Sequence, residues 1–191
     1  MFKNLITMKV KIMKHKQNKI AILSSNLVQD HEFVYPFYRI LEENIDLDIF
    51  LPDGNKASGI LGMPIPPNKD HPVFDFSEFI SENYSMLVLP GGVKSMEILR
   101  LNERVLDIVK EFNEKKKLIA SICSGAQLLI SAKILENRKV SAYYSMKQDI
   151  LNAGAEFIDQ PVVVDENLIS SPHYKYVNYW IKEALSIFKK I

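Results

Sequence analysis

A single cysteine stands where a predicted buried strand turns into a helix, in the run Ser121-Ile122-Cys123-Ser124-Gly125-Ala126. The small residues Ser121 and Gly125 flank Cys123 at two positions' distance, as a nucleophile elbow requires, because strand and helix approach closely around its strained central residue. A thiol at a helix start also feels the positive end of the helix dipole, which favours the nucleophilic thiolate. The competing interpretation is that Cys123 is a small apolar residue buried in the core, without any chemical role. The strand-turn-helix context favours a reactive Cys123.

A second group of ionisable residues, Asp30-His31-Glu32, opens the helix that follows the first predicted strand. An acidic residue in the first turn of a helix often serves only as a cap, and we assign that role to Asp30. Glu32 follows a strand that we expect to neighbour the Cys123 strand. Its carboxyl could therefore bind the thiolate or carry a proton to a leaving group.

Backbone groups are the third element of the predicted site. Gly91-Gly92 follows a predicted strand and leaves N–H groups free to face an oxyanion, although paired glycines also occur in turns without any function. We predict the N–H groups of Gly92 and Ser124 as the donors. One cysteine excludes an internal disulfide and a cysteine-based metal cluster within one chain, and no histidine has ligand spacing. The four histidines are scattered along the chain, at His15, His31, His71 and His173. We therefore predict neither a metal nor an organic cofactor.

These groups need a scaffold, and the hydrophobic pattern predicts one. Short apolar runs alternate with segments of helical period, which is typical of a parallel sheet covered on both faces. We therefore predict a doubly wound α/β domain with a mostly parallel sheet. The main predicted strands are Ile20–Ser25, Leu47–Leu51, Tyr84–Leu89, Leu118–Ile122, Lys139–Ala142, Pro161–Val164 and Leu168–Ser170, with a short hairpin at Ile60–Leu61 and Met63–Ile65.

The charge is balanced overall but uneven along the chain. The 191 residues carry 24 basic and 23 acidic side chains, yet the first 19 residues hold six lysines and no acid. We divide the chain into a basic extension, residues 1–18, and a single domain, residues 19–191. Lysines interrupt every apolar stretch near the start, so we predict no signal peptide and no membrane span. The balance predicts no affinity for nucleic acid or membrane, and we expect a cytoplasmic protein.

Several of these segments together resemble the ThiJ/PfpI superfamily, which includes the PfpI-type intracellular proteases and the DJ-one branch. The resemblance runs from about Lys19 to Ile187. It rests on Asp30-His31-Glu32 with Tyr35-Pro36, the strand end Leu87-Val88-Leu89-Pro90-Gly91-Gly92, Arg100-Leu101-Asn102-Glu103, the elbow from Ala120 to Ala126, Asn152-Ala153-Gly154-Ala155 and Val162-Val163-Val164-Asp165.

The resemblance implies a flavodoxin-like sheet of the kind found in class I glutamine amidotransferases. It also implies a cysteine on the elbow, here Cys123, with Glu32 as its carboxyl partner, and a homodimer. In PfpI-type proteins a glutamate from the neighbouring subunit completes the site. Glu97 lies near that position of the pattern, and the competing interpretation is a solvated helix acid.

The departures from the family pattern concern its histidines. In the protease branch the residue after the nucleophile is a His that serves as base, and here it is Ser124. In the DJ-one branch a His ends the strand after the nucleophile helix, and here Tyr143 stands there, a poor base at neutral pH. His173, after the last strand, could replace the missing base or could simply begin the final helix. We expect His31 to point away from the site, since adjacent helix residues face different directions.

We therefore predict a cysteine-dependent hydrolase or deglycase-like enzyme that acts on small carbonyl-type electrophiles or C–N bonds. The alternatives are a non-catalytic stress-response protein that senses oxidants through its cysteine, a chaperone, and an intracellular cysteine peptidase. An amidotransferase is less favoured, because no Glu follows His173 at the spacing that such enzymes need.

Overall fold

A computed structural model describes residues 19–191 as an α/β arrangement. The predicted basic extension, residues 1–18, lies outside the described residues. Within them the strands are β1 (Lys19–Leu23), β2 (Leu47–Phe50), β3 (Ala57–Ser58), β4 (Pro64–Ile65), β5 (Val73–Phe74), β6 (Tyr84–Leu89), β7 (Leu118–Ile122), β8 (Lys139–Val140), β9 (Glu156–Phe157), β10 (Val163–Asp165) and β11 (Leu168–Ser171).

Seven of these strands form the central sheet, in the order β10-β11-β7-β6-β1-β2-β5. All neighbours pair in parallel except β10 and β11, which are antiparallel. The helices are α1 (Asp30–Glu42), α2 (Val93–Leu99), α3 (Glu103–Glu114), α4 (Ala126–Ser131), α5 (Lys147–Asn152) and α6 (Val177–Phe188). The mostly parallel, doubly wound sheet that the apolar pattern predicts is confirmed.

The sheet is buried on both faces because two apolar clusters cover it. One face packs against α1 and α6, where Phe33, Phe37 and Trp180 are fully buried. The other face packs against the helices that follow β6 and β7, with Phe112 of α3 in the cluster. The indole N–H of Trp180 donates to the Ile169 carbonyl at 3.2 Å, so this buried polar group is paired.

Two local predictions are wrong. The short hairpin pairs β3 with β4, and the predicted hairpin residues Ile60 and Leu61 lie in the turn between them. The β1 strand does not neighbour β7; β6 lies between them and pairs with both. Glu32 must therefore approach Cys123 across the carboxyl end of β6, rather than from an adjacent strand.

Candidate functional site

Cys123 lies immediately after β7, at the carboxyl edge of the sheet, with a backbone φ of 58°. Positive φ is costly for a residue with a Cβ, so the turn holds the thiol in a strained position. The flanking Gly125 is needed for space: a Cβ there would stand 2.5 Å from the Leu89 carbonyl oxygen and 2.9 Å from Ser121 Oγ. The structure thus places Ser121, Cys123 and Gly125 in the geometry of a nucleophile elbow.

Glu32 lies beside this cysteine and is fully buried. Its Oε2 accepts a hydrogen bond from the Gly91 N–H at 2.8 Å. Gly91 must be glycine, because a Cβ there would stand 2.5 Å from Glu32 Oε2 and 2.8 Å from Cys123 Cβ. The turn after β6 therefore both holds the carboxyl and lets it reach the cysteine.

Burial dominates the acid–base properties of Glu32. It raises the pKa of Glu32 from 4.5 to about 7, against the lowering effect of hydrogen bonds from Gly91, Cys123 and the Tyr174 backbone. The second carboxyl oxygen, Oε1, is buried without a hydrogen-bond partner among the described residues. A carboxyl with a pKa near neutrality is suited to general acid–base catalysis at physiological pH.

The pKa of the Cys123 thiol is raised, first by burial and then by the neighbouring Glu32 carboxylate. The backbone N–H of Ser124 acts in the opposite direction but does not outweigh them. The expectation that the helix start favours a free thiolate is therefore wrong for this chain, since two buried acids in contact resist a second negative charge. The Cys123–Glu32 pair holds at most one negative charge near neutral pH.

The thiol opens into a cavity of ≈ 320 Å³. Four predicted site residues besides Cys123 line it: Gly92, Ser124, Tyr143 and His173. The sequence interpretation missed the other lining residues. Tyr174 adjoins His173, Val93 adjoins Gly92 and Gln29 precedes Asp30, so adjacency to predicted residues was the available signal; Ile60 carried none. The missed lining residues are Gln29, Ile60, Val93 and Tyr174.

Tyr143 and His173 lie in the loops that follow β8 and β11. The backbone N–H of Tyr143 donates to the Cys123 carbonyl at 3.2 Å, so this loop is tied to the elbow. The His173 ring stacks on Tyr143 with centroids 5.9 Å apart and lies 4.0 Å from the Tyr174 ring. Burial, and next the charge of Lys175, lower the pKa of His173. Both residues therefore line the cavity into which the thiol opens.

Asp30 does not cap the helix as predicted; Gln29 occupies the N-cap position. The buried Asp30 carboxylate instead accepts hydrogen bonds from the Leu61 N–H at 2.8 Å and the Met63 N–H at 3.0 Å. The loop that bears Ile60 is therefore fastened to the start of α1. Asp30 helps to shape the cavity wall without reaching the cavity.

Glu97 and His31 lie outside the cavity lining. Glu97 is on the outer side of α2 and forms an ion pair with Lys94 at 2.8 Å, so within one protomer it does not approach Cys123. His31 stacks on Tyr174 with centroids 5.0 Å apart. Among residues 19–191, no group of three or more His, Cys, Asp or Glu side chains is placed to hold a metal ion.

A buried carboxyl against a strained elbow cysteine, at the carboxyl edge of a doubly wound sheet, defines a class of α/β proteins with a cysteine nucleophile. The chain belongs to the DJ-1/PfpI family, whose model matches residues 18–187. The predicted family is thus confirmed.

Named relatives agree with this assignment. The chain is 39% identical over 171 residues to a deglycase of Thermococcus kodakarensis, covering 90% of this chain and 99% of that protein. It is 36% identical over 171 residues to deglycase PfpI of Pyrococcus furiosus, with the same coverage of both chains. A crystal structure of a two-domain protein from Anabaena variabilis, with DJ-1/ThiJ/PfpI-like and ferritin-like domains, matches with a TM-score of 0.84 and 28% identity. That match covers 90% of this chain and 48% of the two-domain chain.

No helix within residues 19–191 has the length and apolar character needed to cross a membrane.

Proposed function

We propose that this protein is a cysteine-dependent hydrolase of the deglycase kind, which breaks C–N bonds in small carbonyl-type substrates. The observation that carries the proposal is the contact between Cys123 and Glu32. A strained thiol with a φ of 58° opens into a small cavity and lies against a buried carboxyl whose pKa is raised to about 7. The deglycase names of the two archaeal relatives support the same chemistry.

The proton steps follow from this pair. The Glu32 carboxylate accepts the thiol proton while Sγ attacks the carbonyl carbon, the S–C bond forms and the carbonyl π pair moves onto oxygen. The N–H groups of Gly92 and Ser124 stabilise this oxyanion. As the oxyanion collapses, protonated Glu32 gives its proton to the leaving nitrogen and the C–N bond breaks. Water then attacks the thioester carbon while the Glu32 carboxylate accepts a proton from it. The S–C bond breaks, and Sγ takes this proton from Glu32 to restore the thiol.

A carbonyl adduct of an amine needs fewer steps. Its carbon already carries a hydroxyl and the nitrogen, so Sγ replaces the nitrogen directly and the amine leaves with the proton from Glu32. The resulting hemithioacetal breaks its S–C bond, the hydroxyl proton returns to the pair, and an aldehyde is released. Atoms and charge balance without a metal or a redox partner.

The dimensions of the cavity favour small substrates over polypeptides. A volume of ≈ 320 Å³ lies at the lower end of the range for small-molecule sites. The described residues of one protomer put no Lys, Arg, Asp or Glu side chain into this lining, which favours an uncharged entering group. These features favour a small electrophile over the peptidase alternative.

The test uses three probes with wild type, Cys123→Ser and Glu32→Gln. The probes are the adduct of methylglyoxal with N-acetyllysine, p-nitroacetanilide and fluorescein-labelled casein. We expect amine release from at least one of the first two and none from casein, with loss of turnover in Cys123→Ser. Turnover of casein alone would support a peptidase, and turnover of no probe by wild type would refute the proposal.

Oxidant sensing is the second candidate, because Cys123 is only partly buried and its neighbouring carboxyl could hydrogen-bond to a sulfinic acid. The intact mass of the protein after treatment with mild peroxide distinguishes the oxidant sensor from the hydrolase. A stable gain of two oxygens in wild type, without turnover of any probe, would favour the stress-response alternative. Binding of an apolar dye to the native protein would test the chaperone alternative.

A homodimer in the cytoplasm is part of the proposal. Reducing conditions there keep a lone thiol free. The family resemblance implies a partner glutamate near the site, and Glu97 on α2 is our candidate, since within one protomer it is exposed and forms an ion pair with Lys94 at the surface.

A further inference from the structure

The hydrogen bonding of His173 fixes which of its ring nitrogens carries the proton. Its Nδ1 accepts a hydrogen bond from the Lys175 N–H at 3.2 Å and thereby caps the short turn Tyr174–Tyr176. A nitrogen that accepts a hydrogen bond carries no proton, so in the neutral ring the proton is on Nε2. The lone pair that could act as a base is therefore occupied, and Nε2 is a donor.

The surroundings keep the ring neutral. The groups packed against it are the rings of Tyr143, Tyr144 and Tyr174, and the charge that acts on it is that of Lys175. A positive neighbour and partial burial both disfavour an imidazolium. His173 therefore faces the Cys123 cavity as a neutral imidazole.

The ring is also held in place. The centroid of Tyr174 is 4.0 Å away, those of Tyr143 and Tyr144 are 5.9 Å and 6.3 Å away, and the last two rings are nearly parallel to the imidazole. Turning the ring to present Nδ1 to the cavity would break the Lys175 hydrogen bond. A donor fixed before the reaction begins stabilises a developing charge more effectively than a mobile one.

We propose that His173 is a catalytic hydrogen-bond donor, whose Nε2–H binds the substrate oxygen that becomes negative when Cys123 attacks, and that it does not accept the thiol proton. This inference rests on the proposed function and adds a side-chain donor to the N–H groups of Gly92 and Ser124. It leaves proton transfer to Glu32. It also requires that the substrate oxygen, rather than the leaving nitrogen, lies on the His173 side of the cavity.

Two variants separate a donor from a base. His173→Gln keeps an N–H group but has no basic nitrogen, whereas His173→Phe keeps a planar ring that can stack but has no donor. The probes are p-nitroacetanilide for turnover, because attack of Sγ on its amide carbonyl creates an oxyanion, and iodoacetamide for the thiol itself. Alkylation by iodoacetamide displaces iodide from a CH2 group and forms no oxyanion, so an oxyanion donor is not needed for it.

We expect His173→Gln to retain kcat within about 5-fold and His173→Phe to lose about 10²-fold or more, with both variants alkylated at the wild-type rate from pH 6 to 9. Thermal unfolding of both variants checks that the fold is intact. Nitrogen NMR of ¹⁵N-histidine-labelled wild type, with His173→Gln for assignment, should show the proton on Nε2.

A Nδ1–H tautomer, or a Gln variant as inactive as the Phe variant with both alkylated slowly, would overturn the donor role. Wild-type protein that turns over no probe would refute the proposed function, and this role with it. Wild-type turnover that His173→Gln and His173→Phe leave equally unchanged would refute the role of His173 alone.

Discussion

Glu32 in the first turn of α1 and Cys123 just after β7 follow strands that do not pair with each other, and their side chains meet beside Gly91. Glu32 Oε2 accepts the Gly91 N–H at 2.8 Å, and the missing Cβ of Gly91 leaves room for both side chains. The turn after β6 is thus as much a part of the site as the two ionisable residues.

Replacing Gly91 with alanine should separate this pair. The added Cβ would stand 2.5 Å from Glu32 Oε2, so we expect a loss of about 1–3 kcal/mol in the free energy of unfolding and at least a 10-fold fall in turnover. Gly62→Ala is the control, because its Cβ meets nothing within 4 Å and only its φ of 90° is unfavourable. Equal turnover in wild type and Gly91→Ala would show that the close approach is unimportant.

The raised pKa of Glu32 should make stability fall as pH rises. The folded pKa of about 7 exceeds the ordinary value of 4.5, so the folded state binds the proton more tightly, and that contribution is lost between these two pH values. Relative to Glu32→Gln, wild type should lose about 3 kcal/mol of unfolding free energy across this range. Urea unfolding from pH 4.5 to 8 measures the difference; Glu114→Gln, at an exposed acid of α3, serves as control. If the free energy of unfolding depends on pH in the same way for wild type and Glu32→Gln, the raised pKa of Glu32 would be contradicted.

Turnover should depend on the same ionisation. Because Glu32 must be a carboxylate to accept the thiol proton, kcat/KM should rise with pH through about 7 and level off above it. In Glu32→Gln the rise of kcat/KM with pH should disappear, and kcat/KM should fall by about 10²–10⁴-fold. If kcat/KM of Glu32→Gln still rises with pH through about 7, another group must be the base that accepts the thiol proton.

Asp30→Ala should loosen the loop that carries Ile60. It leaves the N–H groups of Leu61 and Met63 without their acceptor, so we expect a loss of about 1–3 kcal/mol and faster hydrogen exchange at those two amides. Since Ile60 lines the cavity, KM should rise more than kcat falls. Asp70→Ala, at an exposed acid, is the control. Unchanged hydrogen exchange at the Leu61 and Met63 amides would show that Asp30 does not hold this loop.

The proposed dimer is testable through Glu97. Light scattering should give twice the chain mass of 21.9 kDa, and Glu97→Gln should lower turnover by about 10-fold while the mass stays that of a dimer. Lys94→Gln, which removes the ion-pair partner of Glu97, should leave turnover unchanged. A monomeric active protein would contradict a contribution from the partner.

The sequence by itself determined the scaffold and its reactive positions. Short apolar runs predicted the strands Tyr84–Leu89 and Leu118–Ile122 with the bounds that the structure shows, because parallel strands buried on both faces are nearly continuous apolar runs. The small residues around Cys123 marked the elbow, since only they allow strand and helix to approach so closely.

Only the tertiary structure decided how those positions interact. The sheet order inserted β6 between β1 and β7, so the contact of Glu32 with Cys123 depends on Gly91 rather than on neighbouring strands. Burial, which local sequence does not report, raised the pKa of both Glu32 and Cys123 and overrode the helix dipole. The tautomer of His173 likewise depends on a hydrogen bond that forms only when its loop folds back. Strand and helix signals are local, whereas strand order, solvation and loop contacts depend on residues far apart in the chain.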